Sequence, residues 1–235
     1  MDLITVLLGL VVLNGLIILH ELGHFLVARR AGMAAPEFAL GFGPRLLGFT
    51  LGETTYSLRL FPLGGYVHLP ELAPEPEEEP VPIGRRFWTI LAGPLANLAL
   101  VVLLMGPREA YLAAGLWFEI MGDLVVGLVS DSGPSADVAL VGPITITSAV
   151  GEAAAMGIGS LLRLTAFLSL NLGLFNLLPL PGLDGGRLLG LLLERLNGGR
   201  RSAWEPVVQG LGLLLFLGLG LWVTGKELLA VIGWL

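Results

Sequence analysis

The chain has 235 residues, of which 54% are hydrophobic and 14% charged, and its mean hydropathy is +0.83. Because soluble domains carry about 25% charged residues, this composition excludes an ordinary soluble protein and indicates an integral membrane protein. The net charge of -6 gives no reason to expect nucleic-acid binding, and the absence of cysteine excludes disulfides and thiolate ligands, so a metal site would need histidines and carboxylates.

The first predicted membrane span covers about residues 3–31. Seventeen residues from Leu3 to Leu19 carry no charge, and Arg29 and Arg30 mark the end of the span. The N-terminus lacks the basic region and small-residue cleavage site of a signal peptide. We therefore expect this span to be retained.

An HExxH metal motif, His20-Glu21-Leu22-Gly23-His24, lies inside this apolar span. Positions 20 and 24 are about 40° apart around a helix, so both imidazoles can reach one ion. Glu21 can take a proton from water while it stays outside the coordination sphere. The alternative is a chance motif whose histidines are satisfied by neighbours. A span makes that alternative less favourable, since each polar group near mid-membrane costs about 2–3 kcal/mol or more unless it is compensated.

Residues 37–69 contain short extended runs divided by glycine and proline turns. We predict small β-hairpins that lie at the membrane interface or dip into it, with an ordinary amphipathic loop as the alternative. Residues 70–82 are rich in Glu and Pro, which is typical of a solvated linker.

Three further membrane spans are predicted from apolar runs that reach about the 20-residue length needed to cross a bilayer. They cover about residues 87–105, about 160–196 with a break at Pro179 and Pro181, and about 207–224. Residues 106–159 between them are predicted to be a short external segment. The predicted fold is a single-domain, α-helical multi-pass membrane protein of about four transmembrane helices, with a small membrane-associated β-hairpin region between helices 1 and 2.

Arginine placement predicts the orientation. Five arginines lie between the first two spans and three follow the third, at positions 30, 45, 59, 85, 86, 195, 200 and 201. Residues 106–159 contain only Arg108 against six acids. By the positive-inside rule the arginine-rich loops are cytoplasmic, both termini are external, and the metal motif is reached by water from the cytoplasmic side.

A third metal ligand is needed, because catalytic zinc commonly has three protein ligands and a water. Asp184 is the strongest carboxylate candidate: it follows Pro179 and Pro181, which interrupt the helix, and it precedes Gly185 and Gly186. Irregular backbone at membrane depth is tolerated only where it is buried in protein or lines a cavity. Taken alone, Asp184 could instead be an interfacial helix N-cap.

Several motifs in this order resemble a known family. They are HELGH in the first span, Phe42-Gly43-Pro44 and Pro62-Leu63-Gly64-Gly65-Tyr66 in the loop, Gly93-Pro94-Leu95-Ala96-Asn97 in the second span, and Asn176-x-x-Pro-x-Pro-x-Leu-Asp-Gly-Gly in the third. The set resembles the site-2 protease family of intramembrane zinc metalloproteases, and most closely its bacterial regulator-of-sigma-E-protease-like branch. The resemblance covers about residues 1–105 and 140–225.

The resemblance implies a zinc site formed by His20, His24 and Asp184. It also implies that Glu21 is the general base and that Asn176 stabilises the developing oxyanion or holds substrate.

The loop around Gly64, Gly65 and Tyr66 resembles the family's membrane re-entrant β region, which would hold substrate as an added strand. Asn97 is a further substrate-binding candidate, although its spacing from Gly93 also fits a helix-packing motif.

The resemblance further implies a substrate that is a single-pass transmembrane protein, such as an anti-sigma factor, or a remnant signal peptide, cleaved in the bacterial cytoplasmic (inner) membrane. Members of this branch usually carry PDZ domains between the second and third core spans. Residues 123–137 resemble the opening strand and turn of such a domain, but Val141-Gly-Pro-Ile-Thr follows almost at once. We therefore expect no complete PDZ domain.

Two other functions use the same ligands. A membrane metal-ion transporter would have little need of Glu21 beside the ligands or of a strand-forming loop. A catalytically inactive scaffold would usually lack a ligand or the base, and here His20, Glu21, His24 and Asp184 are all present.

Overall fold

The computed structural model describes residues 2–72, 81–129, 141–200, 202 and 204–233. In these ranges the helices are α1 (Leu3–Arg30), α2 (Ile83–Met105), α3 (Pro107–Val129), α4 (Pro143–Ala155), α5 (Ile158–Asn176), α6 (Asp184–Leu196) and α7 (Glu205–Val231). Two strands, β1 (Glu37–Leu51) and β2 (Thr54–His68), lie between α1 and α2, and a 3₁₀ turn over Pro70–Leu72 follows β2.

Four of the helices, α1, α2, α5 and α7, are long and apolar enough to cross a membrane. The most apolar window of α1 has a mean hydropathy of 2.5, yet only 17% of it is buried within the protein. Most of the apolar side chains of this window therefore face outward, which suits a surrounding of lipid. The predicted fold of about four membrane helices with a small β-hairpin region between the first two is confirmed.

The chain divides into two compact units. One contains Met1–Gly9, Ala99–Asn171 and Leu219–Leu235, and the other contains Leu10–Leu98 and Leu172–Gly218. The second unit holds the HExxH motif, both strands, and the break between α5 and α6.

The two strands pair in one sheet whose register places four short segments side by side; segment 37–40 is antiparallel to 65–68, segment 45–51 is antiparallel to 54–59, and the residue numbers of 37–40 and 55–58 rise together. Residues 37–40 are central, since they pair with 65–68 on one side and with 55–58 on the other. Residues 45–51 pair with 54–59 across a tight turn, where Gly52 has φ of +62°. The outer edges of the sheet are therefore residues 45–51 and residues 65–68.

A polar network fixes the centre of this hairpin. The Glu37 carboxylate accepts hydrogen bonds from Ser57 Oγ at 2.8 Å, Arg59 Nη2 at 2.7 Å and the Tyr66 hydroxyl at 2.8 Å. The Arg59 guanidinium also lies over the Tyr66 ring, 5.3 Å from its centroid, and the Phe42 ring stacks on the Tyr66 ring with 6.3 Å between centroids. The network joins the central segment to the edge segment 65–68.

The third predicted span is broken as its prolines indicate. Helix α5 ends at Asn176 and α6 begins at Asp184, and the backbone N–H of Gly182 donates to Gln209 Oε1 of α7 at 2.7 Å. A Cβ at Gly185 would overlap the carbonyls of Leu177 and Leu178. Only glycine allows the start of α6 to approach the broken segment this closely.

One prediction for the segment after α2 is wrong. Residues 123–137 resemble the opening strand and turn of a PDZ domain, but 123–129 form the end of α3, and α4 occupies 143–155. Residues 130–140 lie outside the described residues, as do residues 73–80 of the predicted linker. A strand needs partner strands for its backbone groups, whereas a helix satisfies them internally. The apolar run therefore continues the helix that begins at Pro107.

A buried ion pair joins the start of α2 to the end of α6. The Arg86 guanidinium donates to both carboxylate oxygens of Glu194, through Nη1 at 2.9 Å and through Nη2. The side chains are only 1% and 5% exposed. Removing one member of such a pair leaves an uncompensated buried charge.

We expect Glu194→Gln to lower the free energy of unfolding by about 3–5 kcal/mol, because Arg86 would stay buried beside a neutral group. The matched control is Glu53→Gln, which removes the Arg29–Glu53 bridge, where the Glu53 side chain is 83% exposed; a loss of about 0–1 kcal/mol is expected there. Denaturant unfolding in detergent micelles measures both. Equal losses in the two variants would contradict the role of the buried pair.

The Glu37 network predicts a pH dependence of stability. Burial works to raise the pKa of Glu37, but the hydrogen bonds from Arg59, Tyr66 and Ser57 outweigh it and lower the pKa from 4.5 to about 2. Because the folded-state pKa is the lower one, the stabilisation is complete above about pH 4.5 and is lost as the pH falls toward 2. The stability difference between the wild type and Glu37→Gln should therefore be constant near neutrality and shrink below pH 4.5. A difference that does not change with pH would refute this.

Candidate metal centre

Three predicted ligands from distant parts of the chain meet at one buried point. His20 Nε2 lies 3.0 Å from Asp184 Oδ2, His24 Nε2 lies 3.2 Å from the same oxygen, and the two Nε2 atoms are 3.2 Å apart. All three side chains are less than 9% exposed. Among the described residues, these are the group of histidines and acids close enough to share a metal ion.

The outer nitrogen of each imidazole has its own partner in α2. His24 Nδ1 lies 2.8 Å from the backbone carbonyl of Thr89, and His20 Nδ1 lies 3.2 Å from Asn97 Oδ1. Both partners are acceptors, so each Nδ1 carries the proton. The Nε2 lone pairs of His20 and His24 then point at each other and at the Asp184 carboxylate.

This donor set fits a divalent cation. Three electron-rich atoms facing one another in a buried site are unfavourable unless a positive charge lies between them. Ligands about 2.0–2.1 Å from a tetrahedral zinc ion are separated by about 3.3 Å, close to the observed spacing of 3.0 to 3.2 Å. Outer hydrogen bonds that fix the tautomer are also typical of metal-binding histidines.

Gly93 leaves the space that the site requires. A Cβ at this position would overlap His24 Nε2 and lie 2.8 Å from His20 Nε2. Helix α2 can therefore pass against both imidazoles only with glycine here. The sequence pattern related Gly93 and Asn97 to helix packing, and nothing in it indicated that both lie against the histidines.

Asp184 is the first residue of α6, and the N-cap position belongs to Leu183. The interfacial N-cap alternative is therefore not what the structure shows, since the carboxylate oxygen faces the imidazoles instead. A carboxylate in the first turn is also favoured by the positive end of the helix dipole.

Glu21 lies next to the ligands on α1 and reaches the hairpin. Its Oε2 accepts a hydrogen bond from the backbone N–H of Val67 in the edge segment, at 3.0 Å. The base predicted from the HExxH motif is thus held between the metal ligands and the sheet.

The other predicted site residues are placed as follows. Asn97 is fully buried, and its Oδ1 lies 3.2 Å from His20 Nδ1; its part in substrate binding stays a prediction. Asn176 donates its amide to Leu172 O of its own helix at 2.9 Å, and its catalytic role stays a prediction.

Gly64, with φ of +118°, and Gly65 precede Tyr66 in the edge segment of the hairpin. The Tyr66 hydroxyl donates a hydrogen bond to the Glu37 carboxylate.

The chain is similar to known metalloproteases over most of its length. The model of peptidase family M50 matches residues 8–219. The zinc metalloprotease RasP of Geobacillus kaustophilus is 26% identical, over 93% of this chain and 96% of the relative. The chloroplastic membrane metalloprotease ARASP of Arabidopsis thaliana is 25% identical, over 97% of this chain and 79% of the relative.

The alignment with RasP extends over 407 positions, more than the 235 residues of this chain, so the relative has segments that this chain lacks. The match to the family model nevertheless runs from α1 into α7 and includes every residue of the metal centre. The chain therefore belongs to peptidase family M50, the site-2 protease family of metalloendopeptidases.

Proposed function

We propose that this protein is an intramembrane zinc metalloprotease that hydrolyses peptide bonds within or near the transmembrane segments of single-pass membrane proteins. The observation that carries the proposal is the meeting of His20, His24 and Asp184 beside Glu21, with both histidines and Glu21 on a helix that has the composition of a membrane span. The names of the relatives, zinc metalloprotease and membrane metalloprotease, support it.

His20, His24 and Asp184 would hold the zinc ion. A zinc ion bound there supplies Lewis-acid chemistry, because it polarises a peptide carbonyl and acidifies water. Glu21 takes the proton from the attacking water as the new C–O bond forms, and it passes that proton to the leaving amine as the C–N bond breaks. Asn176 is proposed to donate its amide to the developing oxyanion or to hold the substrate backbone, which requires it to leave its present bond to Leu172.

Access to the scissile bond requires local unwinding of the substrate. A transmembrane helix hides its carbonyls in its own hydrogen bonds, and unpaired backbone groups are costly in hydrocarbon. The edge segment 65–68 pairs on one side only, with residues 37–40. We propose that an extended substrate pairs with the other side, around Gly64, Gly65 and Tyr66.

The hairpin is proposed to associate with the bilayer. Its outer segment exposes large apolar side chains, including Leu47, Phe49 and Leu51, each at least 65% exposed. An apolar surface of this kind is unfavourable in water and favourable at a membrane interface.

The proposed location is the bacterial cytoplasmic (inner) membrane, with the active site open to the cytoplasm and both termini external. The arginine distribution supports this orientation. Substrates of this enzyme would be single-pass proteins such as an anti-sigma factor, or remnant signal peptides.

The proposal predicts that Glu21→Gln abolishes cleavage and retains zinc. Loss of a general base lowers the rate by about 10²- to 10⁴-fold, while His20, His24 and Asp184 stay intact. The measurement is cleavage of a single-pass test substrate in liposomes, with zinc per protein determined on the same preparation. His24→Ala is the matched comparison and should lose both zinc and cleavage. Glu21→Gln that cleaves at the wild-type rate would refute the role of Glu21.

A second prediction concerns the substrate. If the helix must unwind, substrates with Gly, Pro, Asn or Ser near the scissile bond should be cleaved faster than a polyleucine span. Proline, about 3 kcal/mol less favourable in a helix than alanine, should raise the rate at least about tenfold, whereas Gly, at about 1 kcal/mol, and Asn or Ser, at about 0.5 kcal/mol, should raise it a few-fold. Initial rates on a matched substrate series test this. Equal rates for polyleucine and proline-containing spans would contradict it.

A further inference from the structure

The hydrogen bond between Glu21 and Val67 joins the catalytic helix to the hairpin edge. Glu21 Oε2 lies 3.0 Å from Val67 N. Glu21 is in α1 and Val67 is 46 residues later, near the end of β2. The contact is therefore a tertiary one, set by how the hairpin is placed beside α1.

The N–H of Val67 is available to Glu21 because it faces out of the sheet. Residues 65–68 pair only with 37–40, with Val67 opposite Phe38. In an antiparallel pair, successive residues alternate between those that bond across the ladder and those whose backbone groups face away. Val67 belongs to the second kind, and its outward N–H ends on the Glu21 carboxylate.

The edge segment is held in this place by the Glu37 network. Tyr66, next to Val67, is bound through its hydroxyl to Glu37 and stacks on Phe42 at an interplanar angle of 19°. At Gly65, a Cβ would lie 2.8 Å from the Ala39 carbonyl, so glycine lets the two segments approach. The donor to Glu21 is thus a backbone group of a locally rigid strand.

A fixed donor matters because a glutamate side chain rotates about three bonds. With Oε2 bound to Val67, the other oxygen, Oε1, is oriented and left to exchange protons with water and with the leaving amine. Misplacing a catalytic group by about 1 Å can lower a rate about 10²-fold.

We infer that the backbone N–H of Val67 positions Glu21 for proton transfer, so that the hairpin edge belongs to the proton-transfer machinery as well as to the proposed substrate surface. The inference rests on the proposed protease function. It makes Val67 a positioning residue that acts through Glu21.

The direct test is Val67→Pro, which removes this N–H and exchanges the valine side chain, packed against the Ala28–Met33 cluster, for the apolar proline ring. Proline is tolerated on an edge strand where the N–H faces outward, and it requires an extended residue before it, as Tyr66 already is. We expect kcat on the single-pass test substrate to fall about 10- to 100-fold, with KM and zinc per protein unchanged.

Thr50→Pro is the matched control on the opposite edge of the same sheet. Thr50 pairs with Thr55, whose own N–H donates to the Pro36 carbonyl at 2.9 Å on the other side. The N–H of Thr50 therefore also faces outward, but away from Glu21. This variant should keep the wild-type kcat.

A second measurement needs no substrate and no cleavage. Amide hydrogen exchange followed by NMR should show the Val67 amide at least about tenfold less protected in Glu21→Ala, because its acceptor is gone. Glu21→Gln keeps an acceptor oxygen and should keep the protection, although it does not cleave. The Tyr66 amide, in the ladder pair with Ala39, is the internal reference.

The outcomes separate this inference from the proposed function. A raised KM with unchanged kcat in Val67→Pro would assign the N–H to substrate docking and overturn the inference. Unchanged values of both kcat and KM would overturn it as well. Unchanged exchange at Val67 in Glu21→Ala would also overturn it. Failure of the wild type to cleave any single-pass substrate, or full activity of Glu21→Gln, would instead refute the protease proposal itself.

Discussion

Two imidazole nitrogens and one carboxylate oxygen meet within 3.2 Å of one another in a buried site, and the surrounding structure depends on keeping them there. Three electron-rich atoms in a medium of low polarity repel one another unless a cation lies between them. Helix α1 supplies His20 and His24, the first turn of α6 supplies Asp184, and α2 supplies the acceptors that turn both lone pairs inward. The break between α5 and α6, the glycines that permit it and the close approach of α2 at Gly93 all serve this geometry.

Hydrogen-bond donors likewise compensate three other acids, which are fully or partly buried: each of these carboxylates accepts more than one hydrogen bond. Glu194 has both oxygens on Arg86, Glu37 has three donors within the hairpin, and Glu227 accepts from the backbone N–H groups of Gly142, Ile144 and Thr145 at the start of α4. Glu21 differs, since its donor is a single N–H at a sheet edge. One of its oxygens is anchored, and in the proposed mechanism the other takes part in proton transfer.

Sequence reasoning located the parts of the site that have a local signature. Spacing within one helix was enough to place His20 and His24 together, and the prolines and glycines around Asp184 indicated the break. It did not find Gly93 or the true contact of Asn97, because packing between helices leaves no periodicity that separates a histidine partner from a helix-packing residue. The Glu21–Val67 bond was equally hidden, since it depends on strand register. Residues 123–137 resemble the opening strand and turn of a PDZ domain, yet the backbone of 123–129 satisfies its hydrogen bonds as a helix.

The central proposal is a metal ion held by two histidines and an aspartate, and X-ray absorption at the zinc edge of the purified protein tests it most directly. We expect two imidazole nitrogens and oxygen ligands at about 2.0–2.2 Å, and one fewer oxygen neighbour or loss of the metal in Asp184→Ala. A zinc ion with no imidazole neighbours, or a coordination shell unchanged in Asp184→Ala, would contradict it.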